Sequence, residues 1–588
     1  MAESTTYAPS VVRQAQARGY RRRPGDPGAR PLRIYTLDPS TARVDAPIAT
    51  VDVPWEPLDP GPAGTLFVID PTDGDDINAG VDLDDPRILI RGGLEPSVSD
   101  HRFHQQMVYA VCARVYEQFQ QALGRLIAWG FDTSDGLGRL RVRPHAPECR
   151  ANAVYQKELG QISFGYFPGP ADGAGRIAPG GRVFTCLSHD IVAHELTHAL
   201  LDGLRSRFNV PTGGDVLGFH EGFADLVAVF QHLRYGGVVT AQLRAFEGRL
   251  ESATLVASLA QQFGEAVQGH ALRCAVTTDV QRYRPDMEAH EKGSVLLSAV
   301  FAAFLAIYRR KAEPLVGLAA RLPSGRLPED LVSLLAAKAG DVAGQFLNLC
   351  IRAVDYCPPV DLHLGEYLRA LVTADRELVP DDRWGYRDAL IGAFAERGIY
   401  PPGVNQLTED ELCWRAPTRF IEPIADLHFS QLRFAGDPSL PVDEEEAVRQ
   451  AEALWRFVTR AHVAEEFGLA PPGAEVEPCC VESIRTSRRI GPDGHVVFDL
   501  VAEVTQRRHV VDPVTGARAK FFGGCTVIIG PEGETRFIVS KNVNNRERLE
   551  RQLTHQRESG LWEVVEGRYR MRGYANELAH RLRSPDAR

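Results

Sequence analysis

The segment SHDIVAHELTHALLDG, residues 188–203, constrains the fold of this chain more than any other. Its apolar residues surround His194, Glu195 and His198, which predicts a buried helix that starts at Ser188 and ends near Gly203. On a helix, residues four apart differ by only about 40° around the axis, so both imidazoles can bind one metal ion. Glu195 lies beside them, where a carboxylate can act as a general base toward water.

A second segment, GFHEGFADLVAVF at residues 218–230, repeats this spacing with acids. Two histidines leave zinc short of the three protein ligands that a catalytic site usually has, and Glu221 can supply the third. Asp225 is four residues further along and can accept the N–H of a ligand histidine. An acidic pair of this kind on a helix usually faces solvent, but the apolar residues around this one indicate burial.

An H-E-x-x-H motif followed by E-x-x-x-D resembles the gluzincin zinc metallopeptidases, and the thermolysin-like family in particular. Residues 100–119 resemble the long helix that precedes the active site in that family. The run from Asn152 to Tyr155, Asn-Ala-Val-Tyr, resembles its edge strand. His290, with Asp286 four residues before it, resembles its histidine at the head of a helix. The resemblance covers roughly residues 95–400.

The resemblance implies a zinc-dependent endopeptidase with one catalytic zinc and a peptide or protein substrate. Zinc-activated water would attack the peptide bond, with Glu195 as its general base. His290 would stabilise the oxyanion and Asp286 would orient His290. Asn152 and Ala153 would hold the substrate backbone. The implied fold is α+β, a thermolysin-like core with a β-rich N-terminal part and a helical C-terminal lobe.

The sequence departs from the family pattern in two ways. His220 precedes the ligand glutamate where the family usually has Asn, and 22 residues (199–220) separate the two motifs, a few more than usual. The family tyrosine that polarises the carbonyl has no clear counterpart. Either Tyr155 or Tyr283 takes its place, or the site depends on His290 alone. A catalytically weak or inactive zinc-binding protein of this fold, acting through protein interaction, is the alternative. A structural protein with an accidental motif would contain no stoichiometric zinc.

Composition shifts predict five regions. The strand and turn pattern after Pro401-Pro402-Gly403 indicates an accessory domain in which a helix lies on an antiparallel sheet. We expect this domain to contribute no metal ligand and to pack or bind a protein partner. The regions are a disordered tail (1–30), a β-rich region (31–95), an α/β catalytic subdomain with the H-E-x-x-H helix (96–203), a helical catalytic subdomain (204–403) and the accessory α+β domain (404–588).

Charge and hydropathy narrow the range of partners and compartments. The net charge of −11 gives no reason to expect nucleic acid, and no uninterrupted apolar run reaches the 18 residues that a membrane span needs. No signal peptide pattern is visible, so we expect a cytoplasmic protein, in a bacterium. The acidic loop at 70–86 does not match the spacing of a calcium-binding EF-hand loop, and we expect a turn cluster there.

Overall fold

The computed structural model describes residues 6–39, 48–74, 76–132, 138–173, 177–245, 250, 258–259, 273–274, 281–319, 328–434, 436–490 and 494–573. Within these residues the protein is mixed α and β, as predicted. Parts of every predicted region therefore lie outside the described residues, including residues 1–5 of the tail and 574–588 of the accessory domain.

The N-terminal segment is ordered, which corrects the expected disorder of residues 1–30 for the described part. Helix α1 (Pro9–Ala15) packs against the C-terminal part of the chain and buries Val11 there. The backbone pairs as well, because the N–H of Ala8 donates to the carbonyl of Val481 at 2.9 Å. The arginines after α1 suggested a solvated tail, but the apolar face of α1 has a partner more than 460 residues away.

The β-rich region consists of short strands, as predicted. β1 (Ala29–Tyr35) pairs antiparallel with β2 (Ile48–Pro54). They are followed by β3 (Phe67–Ile69), β4 (Thr72–Asp73), β5 (Asp76–Ile77) and the short helix α2 (Pro86–Leu89). In the acidic loop, Asp70 accepts from Thr72 and Arg141, Asp84 pairs with Arg30, and Asp85 caps α2. These carboxylates act in turns and ion pairs, which agrees with the predicted turn cluster.

The region at residues 96–203 combines a long helix with a sheet whose four strands include β3. Helix α3 (His101–Leu123) ends at Gly124, whose φ of 68° is left-handed and stops the helix there. The sheet has the order β3–β6–β8–β7, and β7 is its antiparallel edge strand. The strands are β6 (Leu140–Arg143), β7 (Ala153–Gln156) and β8 (Gln161–Phe164), followed by the hairpin of β9 (Tyr166–Pro168) and β10 (Arg182–Phe184).

The next part of the chain is mainly helical and contains both motif segments. A methyl group at Gly203 would lie 2.0 Å from the carbonyl oxygen of Ala128, so glycine there permits close packing rather than ending α4. The elements are α4 (His189–Leu204), α5 (Gly214–His232), α6 (Gly236–Ala245), β11 (Ser258–Leu259), β12 (Arg273–Cys274), α7 (Ala289–Ala319), α8 (Glu329–Ala353), α9 (Leu364–Leu378), α10 (Tyr386–Glu396) and α11 (Glu409–Leu412).

Among the described helices, α7 is the candidate for a membrane span. Its stretch Ala289–Gly317 is long and apolar enough to cross a membrane by length and composition, although 78% of the most apolar window is buried inside the protein. Such burial is typical of a core helix. Val295, Leu296 and Phe304 of α7 belong to the main hydrophobic cluster, which extends from β1 to α11.

The accessory domain is a helix-on-sheet unit with a hydrophobic cluster of its own. Among the described residues it contains two longer helices, of which the first ends at Val458 and the second follows the fourth strand of the domain. The elements are α12 (Glu444–Val458), β13 (Cys480–Ile490), β14 (Val496–Val511), β15 (Arg518–Ile529), β16 (Thr535–Lys541), α13 (Arg546–Glu558), β17 (Trp562–Val565) and β18 (Arg568–Met571).

Buried ion pairs join the accessory domain to the part of the chain that precedes it. Arg205, which follows α4, lies 3.3 Å from the carboxylate of Glu503 on β14, and both side chains are almost fully buried. Arg125, which follows α3, pairs with Asp355 at 2.8 Å, and Arg485 of β13 lies beside the same carboxylate at 3.7 Å. The two parts are therefore packed as one body around these charges.

Candidate metal centre

Three predicted ligands converge between α4 and α5. The Nε2 atoms of His194 and His198 are 3.1 Å apart. The carboxylate oxygens of Glu221 lie 3.5 Å from Nε2 of His194 and 3.6 Å from Nε2 of His198. Tetrahedral ligands at about 2.1 Å from zinc are separated by roughly 3.4 Å, so these separations fit one such ion. All three side chains are buried.

The outer nitrogens of both histidines face groups that set their orientation. Asp225 Oδ1 lies 2.9 Å from Nδ1 of His194, so the predicted contact between Asp225 and a ligand histidine is present. His220 Nδ1 lies 3.4 Å from Nδ1 of His198. Burial lowers the pKa of His220 to about 4, so its imidazole is neutral at pH 7. These contacts direct both Nε2 atoms toward Glu221.

His290 joins the centre from a third helix. It lies in the first turn of α7, as predicted, and its Nε2 is 3.1 Å from Oε2 of Glu221. Glycines allow this approach, because a methyl group at Gly222 of α5 would lie 2.8 Å from the carbonyl oxygen of Gly293 of α7. The two helix backbones therefore touch directly beside Glu221.

Burial alone would raise the pKa of Glu221. The nearby imidazoles outweigh that effect and hold the pKa of Glu221 well below its usual range, with His290 the largest contributor and His194 next. The carboxylate is therefore an anion among imidazoles, which is the form that binds a metal ion.

The expected orienting role of Asp286 toward His290 is not supported. The Asp286 side chain is 79% exposed and pairs with Arg284 at 3.4 Å. Asp286 precedes the helix, in the turn that leads into it, and a residue there is not constrained by the helix to share a face with His290. The four-residue offset therefore did not indicate proximity.

Glu195 contacts the edge strand. Its Oε2 accepts the backbone N–H of Tyr155 in β7 at 2.9 Å. Successive residues of a strand direct their backbone groups to opposite edges, so Ala153, two residues before Tyr155, directs its N–H and C=O to the same edge as Tyr155. The carbonyl of Asn152 instead accepts the N–H of Gly165 at 2.8 Å, inside the sheet. The backbone of Ala153 therefore faces the edge of β7 that contacts Glu195, whereas the carbonyl of Asn152 faces the opposite edge, where β7 pairs with β8.

Both tyrosines considered as oxyanion donors have hydroxyls bound to carboxylates. Tyr155 Oη donates to Asp202 at 2.7 Å, and Tyr283 Oη donates to Asp215 at 2.7 Å. Asp202 also binds Lys157 and Asn209, so this buried carboxylate fastens β7 to the last turn of α4. Sequence analysis missed this role of Asp202, which had no signal beyond an acid in a buried helix.

Sequence analysis identified His220 only as a departure from the family pattern and did not predict its contact with His198.

The chain matches no protein-family model, and no curated protein sequence matches it. The interpretation of the centre therefore rests on its residues and geometry.

Proposed function

We propose that this protein is a zinc-dependent endopeptidase of the thermolysin-like kind. His194, His198 and Glu221 hold the metal, and Glu195 is the general base. The observation that carries the proposal is the convergence of two imidazoles and one carboxylate at 3.1–3.6 Å, the separations that a tetrahedral zinc site requires. Glu195 lies on the same helix and contacts the neighbouring edge strand.

When bound, zinc supplies Lewis-acid chemistry that lowers the pKa of water and polarises a carbonyl group. Glu195 accepts the proton of the attacking water at its carboxylate and passes it to the departing amide nitrogen. Tyr155 holds that carboxylate in place through its backbone N–H, so the base does not have to reorient during the reaction.

The edge strand β7 orients the peptide substrate. One edge of β7 pairs with β8, and Ala153 directs its backbone groups to the other edge, on the side of Glu195. A peptide added along that edge forms main-chain hydrogen bonds that do not depend on its sequence. The strand is held by the hydrogen bond between Tyr155 and Asp202, which fixes the distance between substrate backbone and base.

His290 donates to the carbonyl oxygen as negative charge develops there. Its side chain is 16% exposed, and its Nε2 lies 3.1 Å from the buried carboxylate of Glu221. The hydroxyls of Tyr155 and Tyr283 donate to Asp202 and Asp215, so we assign the role of oxyanion donor to His290. We therefore propose a slow enzyme, since one lost donor costs ~10²- to 10³-fold in turnover.

The same observation favours a second candidate function. With both tyrosine hydroxyls engaged, the protein would be a zinc-binding member of this fold with little or no peptidase activity, acting through a protein partner of the accessory domain. The presence of Glu195 argues for the enzyme, because retention of zinc does not require a base.

Cleavage of a peptide library by the purified protein tests the proposal. The wild type should cleave, a zinc chelator should stop cleavage, and added zinc should restore it. Glu195→Gln should lower turnover by ~10²- to 10⁴-fold while zinc stays bound. Glu158→Gln, an exposed glutamate beside β7, is the matched control and should cleave normally. Wild-type rates in Glu195→Gln would refute the mechanism, and a zinc-loaded wild type that cleaves nothing would favour the second function.

A further inference from the structure

A second group of three histidines lies at the start of α3, outside the centre already described. His101 and His104 are three residues apart on α3, and His145 follows β6. Each offers a ring nitrogen, and these nitrogens all lie within 4.8 Å of one another. The closest pair is Nδ1 of His104 and Nε2 of His145, at 2.8 Å. His104 and His145 are buried and His101 is partly exposed.

The outer nitrogens of these rings contact protein groups that fix their orientation. His104 Nε2 lies 3.0 Å from the carbonyl oxygen of Val98. His101 Nδ1 lies 3.0 Å from Oδ1 of Asn78, and the amide nitrogen of the same Asn78 lies 3.5 Å from Nδ1 of His145. A ring held by its outer nitrogen presents the inner nitrogen to a shared point, which is the usual arrangement of metal-binding histidines.

The surroundings suit a cation that enters from one side. The ring of Phe184 packs against all three imidazoles, with centroid distances of 4.7–5.9 Å, and forms an apolar wall of the site. Burial lowers the pKa of His104 to about 3 and that of His145 to about 4, and neighbouring imidazoles add to both effects. His104 and His145 are therefore neutral at pH 7, the form that binds a metal ion. Nε2 of His104 donates to the carbonyl of Val98, so Nδ1 of His104 accepts from Nε2 of His145, and an ion bound between the two rings takes the place of that proton.

We propose that His101, His104 and His145 form a second metal site for a divalent transition-metal ion of the zinc class. Three imidazoles and no carboxylate favour zinc, copper or nickel over calcium and magnesium, which prefer oxygen. The bound ion joins the first turn of α3 to the segment after β6, so it stabilises the fold. Its side toward His101 faces solvent, where water completes the coordination. This site does not depend on the proposed peptidase activity.

Metal stoichiometry of the full-length protein tests the proposal, with zinc as the probe. After chelator treatment and equilibrium dialysis against zinc, the wild type should bind two equivalents and His101→Ala only one. The buried His145→Gln should also bind one, and circular dichroism verifies its fold. If His145→Gln fails to fold, the partly exposed His101→Ala decides the question. The control His509→Ala removes an exposed histidine that pairs with Glu477 and should bind two.

His198→Gln separates the two sites, because it should remove the zinc between α4 and α5 and leave the equivalent bound by His101, His104 and His145. In that variant zinc should raise the unfolding midpoint, and adding His101→Ala should abolish the rise. No zinc bound by folded His198→Gln, or two equivalents in folded His101→Ala, would overturn the proposal. In either case the three histidines would be only a hydrogen-bonded group.

Discussion

Two buried carboxylates illustrate how similar burial serves different purposes in this protein. Glu221 faces the imidazoles of His194, His198 and His290, and Glu503 faces the guanidinium groups of Arg205 and Arg485. A guanidinium is always charged, so it neutralises Glu503 permanently and the pair holds two domains together. An imidazole is a neutral ligand as well as a base, so the same anion among histidines can hold a metal ion, as we propose.

The comparison implies that removing a carboxylate affects stability in one region and metal binding in the other. Glu503→Ala leaves Arg205 and Arg485 buried without this partner, so it should lower the free energy of unfolding by about 3–5 kcal/mol. Urea unfolding measures this change, and zinc binding at the centre should persist in the folded variant. The control Glu411→Ala removes an exposed partner of Arg415 and should cost less than about 1 kcal/mol. If Glu503→Ala and the wild type had the same free energy of unfolding, Glu503 would not stabilise the fold, and the contrast with Glu221 would be wrong.

Within the metal centre, His290 should matter for turnover and not for metal content. His290→Ala removes the donor to the developing oxyanion, so peptide cleavage should slow by ~10²- to 10³-fold with zinc still bound. Tyr283→Phe is the matched control, because the Tyr283 hydroxyl donates to Asp215. If Tyr283→Phe slows cleavage as much as His290→Ala does, the tyrosine is a second donor and the assignment is wrong.

Asp225 should affect metal affinity more modestly. Asp225→Asn weakens the contact that orients His194, and zinc affinity should fall by about 10- to 100-fold. Competition with a chromogenic chelator measures this affinity. Asp388→Asn, an exposed acid in the first turn of α10, serves as the control and should bind zinc as the wild type does. Unchanged affinity in Asp225→Asn would show that the contact has no role in binding.

The smallest effect is a pH dependence of the metal-free protein. The pKa values of His104 and His145, about 3 and about 4 in the folded chain, lie below the ordinary value of 6.5. Below pH 6.5 the unfolded chain binds protons that the folded chain does not, so stability falls as pH decreases toward 4. The loss between pH 7 and pH 6 should be on the order of 1 kcal/mol. It should shrink in His145→Gln, and an identical pH slope in that variant would contradict the assignment.

The residues that sequence analysis placed correctly are those set by local helix geometry. His194 with His198, and Glu221 with Asp225, are four residues apart, and helical periodicity alone places each pair on one face. The alternation of apolar residues at Ile162 and Phe164 is likewise typical of a strand, and β8 lies there.

The features that were missed depend on contacts between distant parts of the chain. Tyr155 meets Asp202 across 47 residues, and Arg205 meets Glu503 across about 300, so no window of sequence contains both partners. The same reason explains the ordered α1, whose apolar face is buried only by the accessory domain. Asp286 is the opposite case. It lies four residues before His290, but it precedes the helix, so this spacing did not predict a contact between them.

Anomalous diffraction at the zinc edge, on crystals of the zinc-loaded protein, tests the central claim most directly. We predict a peak within about 2.0–2.2 Å of Nε2 of His194, Nε2 of His198 and a carboxylate oxygen of Glu221. No peak should lie beside Glu503, although it is as deeply buried as Glu221. A zinc-loaded crystal without a peak between the two histidines and Glu221, or with their side chains turned apart, would contradict the account.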